Sequence, residues 1–132
     1  MKTIRILILE DNLRALSFLI DRIGKLEEKL RNFDIALTVL SESAQVTEYI
    51  NQTQMDFDVI LLDRFCKSND SFHVLDFEKV GVEKIISISS VSRYNEEARK
   101  RGVQRIVQKD HSQIEDFADK VAGGIEEMVR YI

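Results

Sequence analysis

The sequence predicts an α/β domain in which a five-stranded parallel sheet carries helices on both faces. Residues 59–62 form an unbroken aliphatic run and residues 4–9 a nearly unbroken one, as expected for inner strands buried on both sides. Apolar residues recur at helical spacing between the strands, so strands and helices alternate five times along the chain. The first and third strands are the most apolar and the second and fifth the most polar, which favours a doubly wound sheet of order 2-1-3-4-5.

The first half of the chain supplies three strands and two helices. The strand over 4–9 is followed by a long amphipathic helix from about residue 12, because apolar side chains recur there every three or four positions. These positions are Leu13, Leu16, Leu19, Ile20, Ile23, Leu26 and Leu30. A second strand over 33–40 alternates imperfectly, as expected near a sheet edge, and a short helix over 44–52 leads to the strand at 59–62.

The second half continues this alternation. Its predicted elements are a short helix over about 74–80, a strand over 84–90, a helix over 93–101, a strand over 105–109 and a final helix from about 112. Gly81 and Gly102 lie just past two of these helices, where glycine commonly follows a helix C-terminus. Ser112 and Glu115 fit a capping box at the start of the final helix.

The composition is that of one globular domain. The 132 residues contain no linker, repeat or low-complexity tract, so we expect a single domain over residues 1–132 without an output domain. A net charge of −4 disfavours nucleic acid and anionic membranes as partners. The chain has no signal-peptide pattern and no apolar run of membrane-spanning length, and its single cysteine, Cys66, fits a reducing compartment, so we expect a cytoplasmic protein.

Several polar residues follow the predicted strands at the carboxyl ends, which meet at one edge of a parallel sheet. Glu10 and Asp11 follow the first strand, Asp63 the third, and the fourth and fifth end on Ser89 and Lys109. Three carboxylates about 5 Å apart would repel by roughly 3 kcal/mol per pair at an effective dielectric near 20, which calls for a cation. Mg²⁺ prefers such hard oxygen ligands. Acidic residues after strands also cap helices, which is an alternative for Asp11 and Asn12, and Lys109 could be a solvated edge charge, but their co-occurrence favours a site.

Four segments, in the same order along the chain, resemble the motifs of one family. Residues 6–12 look like its first strand and acidic pair, 59–63 like its third strand and phosphorylated aspartate, 85–90 like the strand ending in a hydroxyl, and 102–109 like the segment ending in a lysine. The chain therefore resembles a two-component response-regulator receiver domain of the stand-alone, chemotaxis-regulator type. The resemblance implies the flavodoxin-like receiver fold.

The resemblance also implies a function and a set of site residues. Asp63 would be the phosphoacceptor, assisted by Lys109 and Ser89. The ligands of Mg²⁺ would be Glu10, Asp11, Asp63 and the backbone carbonyl of Phe65. Such a protein is not an enzyme with a separate substrate, since it catalyses at most its own phosphorylation and dephosphorylation.

The implied partners are of two kinds. A sensor histidine kinase or a phosphotransfer protein would supply the phosphoryl group, and an unidentified downstream protein would bind the face of the fourth helix, fifth strand and fifth helix. The residues expected on that face are Arg93, Tyr94, Glu97, Arg101 and Arg105.

The chain departs from the family pattern around the site. Lys67 and Ser71 stand where the family has proline and glycine, Asp110 stands where proline follows the lysine, and Ile106 replaces the aromatic switch residue. These departures favour an alternative, a degenerate receiver that binds partners without phosphorylation. An aspartate nucleophile after a strand also occurs in haloacid-dehalogenase phosphatases, but these enzymes have a second aspartate two residues later, where this chain has Phe65.

Overall fold

The computed structural model describes residues 1–64 and 71–132, which form a parallel sheet with helices on both faces. The strands are β1 (Lys2–Leu9), β2 (Phe33–Leu40), β3 (Val59–Leu62), β4 (Ile85–Ser87) and β5 (Arg105–Ile106). Their order is β2-β1-β3-β4-β5 and every pairing is parallel, as predicted from the apolarity of the strands.

The described residues include five α-helices, four of which lie between successive strands and the last of which follows β5. They are α1 (Leu13–Lys29), α2 (Ser43–Gln45, continued as a π-helical turn over Val46–Ile50), α3 (Phe77–Val80), α4 (Ser92–Lys100) and α5 (Ile114–Val129). Short 3₁₀ turns cover Phe72–Val74, Val82–Lys84 and His111–Gln113. Among the described residues, no helix is both long and apolar enough to span a membrane.

The sheet separates two apolar cores. On one face, the β1 side chains Ile6 and Ile8 pack with the apolar stripes of α1 and α5. On the other face, Leu7 and Leu9 pack with residues of β3, α2 and the α3 region. All four of these β1 side chains are fully buried, which explains why β1 lacks polar alternation at its C-terminal half.

Helices α1 and α5 lie side by side on one face and are also joined by ion pairs. The Arg22 guanidinium of α1 lies 2.7 Å from Asp119 and 3.3 Å from Glu115 of α5. Nearer the C-terminal ends, Lys29 Nζ lies 2.8 Å from Glu126. Because these pairs reach solvent, their contribution to stability is small, and the buried stripes between the helices contribute more.

The structure corrects the predicted starts of two helices. The helix predicted over about 74–80 is shorter, because residues 72–74 form a 3₁₀ turn and α3 begins only at Phe77. The capping box predicted at Ser112 and Glu115 is absent. Instead the Asp110 carboxylate accepts from Ser112 N at 2.9 Å and from Ser112 Oγ at 2.6 Å. A short acidic side chain readily accepts from the amide two residues on, and here it initiates the 3₁₀ turn before α5.

Two glycines end helices as predicted. Gly81 is the residue after α3 and has φ +90°, and Gly102 follows α4 with φ +108°. These backbone conformations are strained for residues that carry a Cβ atom, which explains glycine at both positions.

Candidate functional site

Three carboxylates converge at the carboxyl ends of β1 and β3. Because β1 pairs directly with β3, Asp63 N donates to Leu9 O at 3.0 Å, which sets Asp63 beside Glu10. Carboxylate oxygens of Glu10, Asp11 and Asp63 lie within 4.8 Å of one another. Glu10 and Asp63 are buried and Asp11 is half-buried. The convergence predicted from the strand order is therefore confirmed.

The Glu10 side chain serves both the helix and the site. Its Oε2 accepts from the amides of Asp11 at 3.0 Å and Asn12 at 3.1 Å, at the turn that enters α1. Burial, and secondly the nearby Asp63 charge, raise the pKa of Glu10 from 4.5 to about 7, against the opposing charge of Lys109. The capping alternative is confirmed for Asn12, whose side chain accepts from Ala15 N at 2.8 Å at the start of α1.

Lys109 is buried between two of the carboxylates. Its Nζ lies 2.9 Å from Asp63 Oδ2, as a hydrogen bond, and 2.5 Å from Glu10 Oε1, as a close ion contact. Burial tends to lower the pKa of Lys109, but the charges of Glu10 and Asp63 outweigh it, and the pKa is raised. Lys109 is therefore an internal cation of the site, and the reading as a solvated edge charge is wrong.

The site fits a small hard cation. Asp63 Oδ1 is buried and has no hydrogen-bond partner among the described residues, although Oδ2 of the same carboxylate is bound by Lys109. Buried carboxylates without full compensation are costly, and a divalent cation held by Glu10, Asp11 and Asp63 would offset their negative charge. The predicted fourth ligand, the Phe65 carbonyl, lies outside the described residues, as do Cys66 and Lys67.

Ser89 lies at the same edge, one strand further along. The β4 ladder places Ser87 opposite Leu62, and Ile88 N donates to Leu62 O at 2.9 Å, so Ser89 follows directly beside the end of β3. Its side chain is buried and its Oγ accepts from Val91 N at 3.1 Å. Lys109 N donates to Ser89 O at 3.1 Å, which ties the backbones of the two predicted assisting residues together.

One buried polar residue beside Ser89 was not predicted. Asn95 of α4 is only 2% exposed, and its amide bonds to Ser87 and Ser89. A sequence signal existed: Asn95 is spaced four residues after Val91, which precedes α4, and three before the buried Ala98, so an amide interrupts apolar positions at helical spacing. Ser87, a hydroxyl within a buried strand, is the matching signal on the other side.

The predicted partner face is divided. Arg105 lies 3.4 Å from Glu127 of α5, in keeping with a face shared by β5 and α5. Glu97, however, forms an ion pair with Arg64, and the Arg101 guanidinium lies 3.6 Å from the Phe77 ring. Glu97 of α4 and Arg101, just after it, therefore contact Arg64 after β3 and Phe77 of α3, and the partner face itself stays a prediction.

Two arginines, one from α4 and one from the segment after β3, lie beside the aromatic ring of Tyr94. The Arg64 and Arg93 guanidinium groups lie 4.3 and 5.0 Å from the ring centre of Tyr94, within the range of cation–π attraction. Ile106 of β5, at the position of the family's aromatic switch, is half-buried. The Tyr94 ring of α4 is thus in contact with two arginines.

Comparison with known proteins identifies the fold. No protein-family model and no curated protein matches the sequence. A phosphorylated cyanobacterial phytochrome response regulator superposes with a TM-score of 0.73 at 15% identity, covering 95% of this chain and 92% of that one. The Mn²⁺-bound form of response regulator Rcp1 gives 0.71 at 16%, covering 90% and 89%.

A third solved structure agrees. The response regulator receiver domain from Rhodospirillum rubrum superposes with a TM-score of 0.67 at 13% identity, covering 91% of this chain and 89% of that one. Identities this low establish the fold and not the activity. The five-stranded parallel sheet of order 2-1-3-4-5 and these superpositions together show that the chain has the receiver fold of response regulators.

Proposed function

We propose that this protein is a phosphoacceptor signalling domain that receives a phosphoryl group on Asp63 and acts by binding another protein. One observation carries the proposal: the two oxygens of the buried Asp63 carboxylate have different surroundings. Oδ2 is bound by Lys109 Nζ at 2.9 Å, whereas Oδ1 has no partner among the described residues. One oxygen is thereby oriented by a cation, and the other is left as the nucleophile.

The residues of this site supply what phosphoryl transfer requires. Asp63 Oδ1 attacks the phosphorus of the donor, and the bond from phosphorus to the donor's leaving atom breaks as the new bond forms. Lys109 offsets the negative charge that accumulates beside Asp63, and the Ser89 hydroxyl donates to a phosphoryl oxygen in the product. Because Lys109 and Ser89 are linked through their backbones, both are positioned before the reaction.

Glu10, Asp11 and Asp63 would hold a divalent cation, and we propose Mg²⁺. When bound, it would offset the negative charge of the carboxylates and of the phosphoryl oxygens. The Mn²⁺-bound structural relative and the convergence of three carboxylates within 4.8 Å support a metal here.

The partners and location follow from this assignment. The phosphoryl donor would be a sensor histidine kinase or a phosphotransfer protein, and the output would be a change in binding to a downstream protein. The protein would act in the cytoplasm and would not be an enzyme with a separate substrate. Its net charge of −4 fits a protein partner better than nucleic acid.

The test is intact-mass analysis after incubation with acetyl phosphate and Mg²⁺. We expect one acid-labile phosphoryl group on the wild type and none on Asp63→Asn. Asp58→Asn is the matched control, since Asp58 lies just before β3, at the end of the strand opposite to Asp63, and its side chain accepts from Arg5 N at 2.9 Å. Modification of Asp63→Asn at the wild-type level would refute Asp63 as the acceptor.

An interaction module that works without phosphorylation is the second candidate. Ile106 favours it, because a half-buried aliphatic side chain has no ring or hydroxyl to exchange between buried and exposed hydrogen-bonding positions. The same experiment separates the two candidates, since this module would remain unmodified under conditions that phosphorylate another receiver domain.

A further inference from the structure

Asn95 has no part in the proposed reaction, yet its side chain is one of the most fully bonded polar groups near the site. Its Oδ1 accepts from Ser87 Oγ at 2.7 Å and from Ser89 N at 3.2 Å, and its Nδ2 donates to Ser89 O at 2.9 Å. All three residues are buried. An amide carries both donors and an acceptor, and this one bonds to both backbone polar groups of a single residue, Ser89.

The consequence for Ser89 is that its backbone is fixed from two sides. Its carbonyl accepts from Asn95 Nδ2 of α4 and from the backbone amide of Lys109. Its Oγ accepts from Val91 N, which leaves the hydroxyl hydrogen available to a different acceptor. The backbone is thus immobilised while the hydroxyl keeps its capacity to donate.

We propose that Asn95 is the positioning residue of the site: it holds the Ser89 backbone at the end of β4 so that the Ser89 hydroxyl reaches a phosphoryl group on Asp63. This inference rests on the proposed function. Asn95 acts through Ser89 and touches no reacting atom. Because Asn95 belongs to α4, it also joins that helix to Ser89 and, through the Ser89 carbonyl, to the backbone of Lys109.

A purely structural role would also satisfy these hydrogen bonds, so the test must detect positioning. The chain offers a matched control in Ser87→Ala. That substitution removes one buried hydrogen bond from the same Asn95 amide and leaves both bonds to Ser89 intact. A structural role predicts similar effects for Asn95→Ala and Ser87→Ala on any property, whereas positioning predicts an effect of Asn95→Ala that depends on the Ser89 hydroxyl.

The experiment measures the affinity for beryllofluoride, a phosphoryl mimic, in the presence of Mg²⁺. We expect Asn95→Ala and Ser89→Ala each to weaken binding roughly tenfold, the effect of losing one hydrogen bond to a charged group. Ser87→Ala should stay within about twofold of the wild type. The double variant Asn95→Ala/Ser89→Ala should bind no more weakly than Ser89→Ala alone, because neighbouring residues that act through one group are not additive.

The outcomes separate this inference from the proposed function. A wild type that does not bind beryllofluoride would overturn the proposed function and this inference with it. A wild type that binds, with Asn95→Ala unchanged or with additive losses in the double variant, would overturn the positioning role alone. Thermal melts check folding, and if Asn95→Ala does not fold, Asn95→Asp replaces it. That variant keeps the acceptor for Ser89 N, lacks the donor to Ser89 O, and should lose affinity in the same Ser89-dependent way.

Discussion

Replacing Lys109 by methionine should destabilise the metal-free protein more than the same substitution at an exposed lysine. The Lys109 side chain is 3% exposed and contacts Glu10 at 2.5 Å and Asp63 at 2.9 Å. Methionine has a similar length and no charge, so the substitution leaves two carboxylates buried side by side without their cation.

The expected magnitude is about 3 kcal/mol of unfolding free energy. Removing one member of a buried ion pair typically costs about 3–5 kcal/mol, because the remaining charge stays buried and unpaired. The lower end applies here, since Glu10, with a pKa already raised to about 7, can take up a proton in place of the lost cation. For the same reason, the loss should be greater at about pH 8 than at about pH 6.

The assay is urea unfolding in the presence of a chelator, with the free energy obtained by linear extrapolation. Lys29→Met is the matched control, because Lys29 Nζ also lies 2.8 Å from a carboxylate, that of Glu126, but its side chain is 68% exposed. An exposed pair of this kind contributes about 1 kcal/mol or less. Equal losses for Lys109→Met and Lys29→Met would refute the buried ion network as described.

Three further predictions concern the metal, pH and a backbone constraint. Mg²⁺ at tenfold its dissociation constant should raise the unfolding free energy by about 1.4 kcal/mol, and Asp11→Asn should abolish that gain in thermal melts. Because the pKa of Glu10 is raised from 4.5 in the unfolded chain to about 7 in the folded protein, the folded state binds an extra proton between these pH values. The unfolding free energy of the metal-free protein should therefore fall as the pH rises from 4.5 to about 7. Urea unfolding of Glu10→Gln over the same pH range should show no such fall. Gly102→Ala, at φ +108°, should lower the melting midpoint. Gly123→Ala lies within α5, where nothing is within 4 Å of the added Cβ, and should raise the free energy of unfolding by roughly 1 kcal/mol and the melting midpoint with it.

The sheet order and the convergence of the site could be predicted because each depends on a strong local pattern. β3 is apolar throughout and β1 is apolar over its C-terminal half, and residues that directly follow parallel strands meet at one edge of the sheet. Glu10, Asp11 and Asp63 lie at such ends, so their convergence followed from the strand order without knowledge of loop geometry. Lys109 belongs to the segment after β5, two strands away from β3, and only the family resemblance implied its place beside Asp63.

The features that escaped prediction depend on competition between local partners. Ser112 and Glu115 have the spacing of a capping box, but in the structure Ser112 donates to the Asp110 carboxylate instead. Sequence spacing alone does not show which of these two hydrogen-bonding arrangements is more stable. Asn95 was missed because an amide on a charged helix is usually solvated, and only the buried hydroxyl of Ser87 and the Ser89 backbone make its burial favourable. In both cases the hydrogen bonds that form depend on which of several polar groups lies nearest in the folded structure.

The pairing of α1 with α5 has a consequence for synthesis of the protein. Side chains such as Leu19 and Ile23 of α1 are covered partly by Phe117 and other residues of α5. At typical translation rates, a ribosome adds the first residue of α5 about 4 to 17 s after the last residue of α1. Throughout that interval the nascent chain exposes an apolar helix face whose cover has not been made. The apolar face of α1 is therefore fully covered only after α5 has been made, and until then that face favours aggregation of the nascent chain.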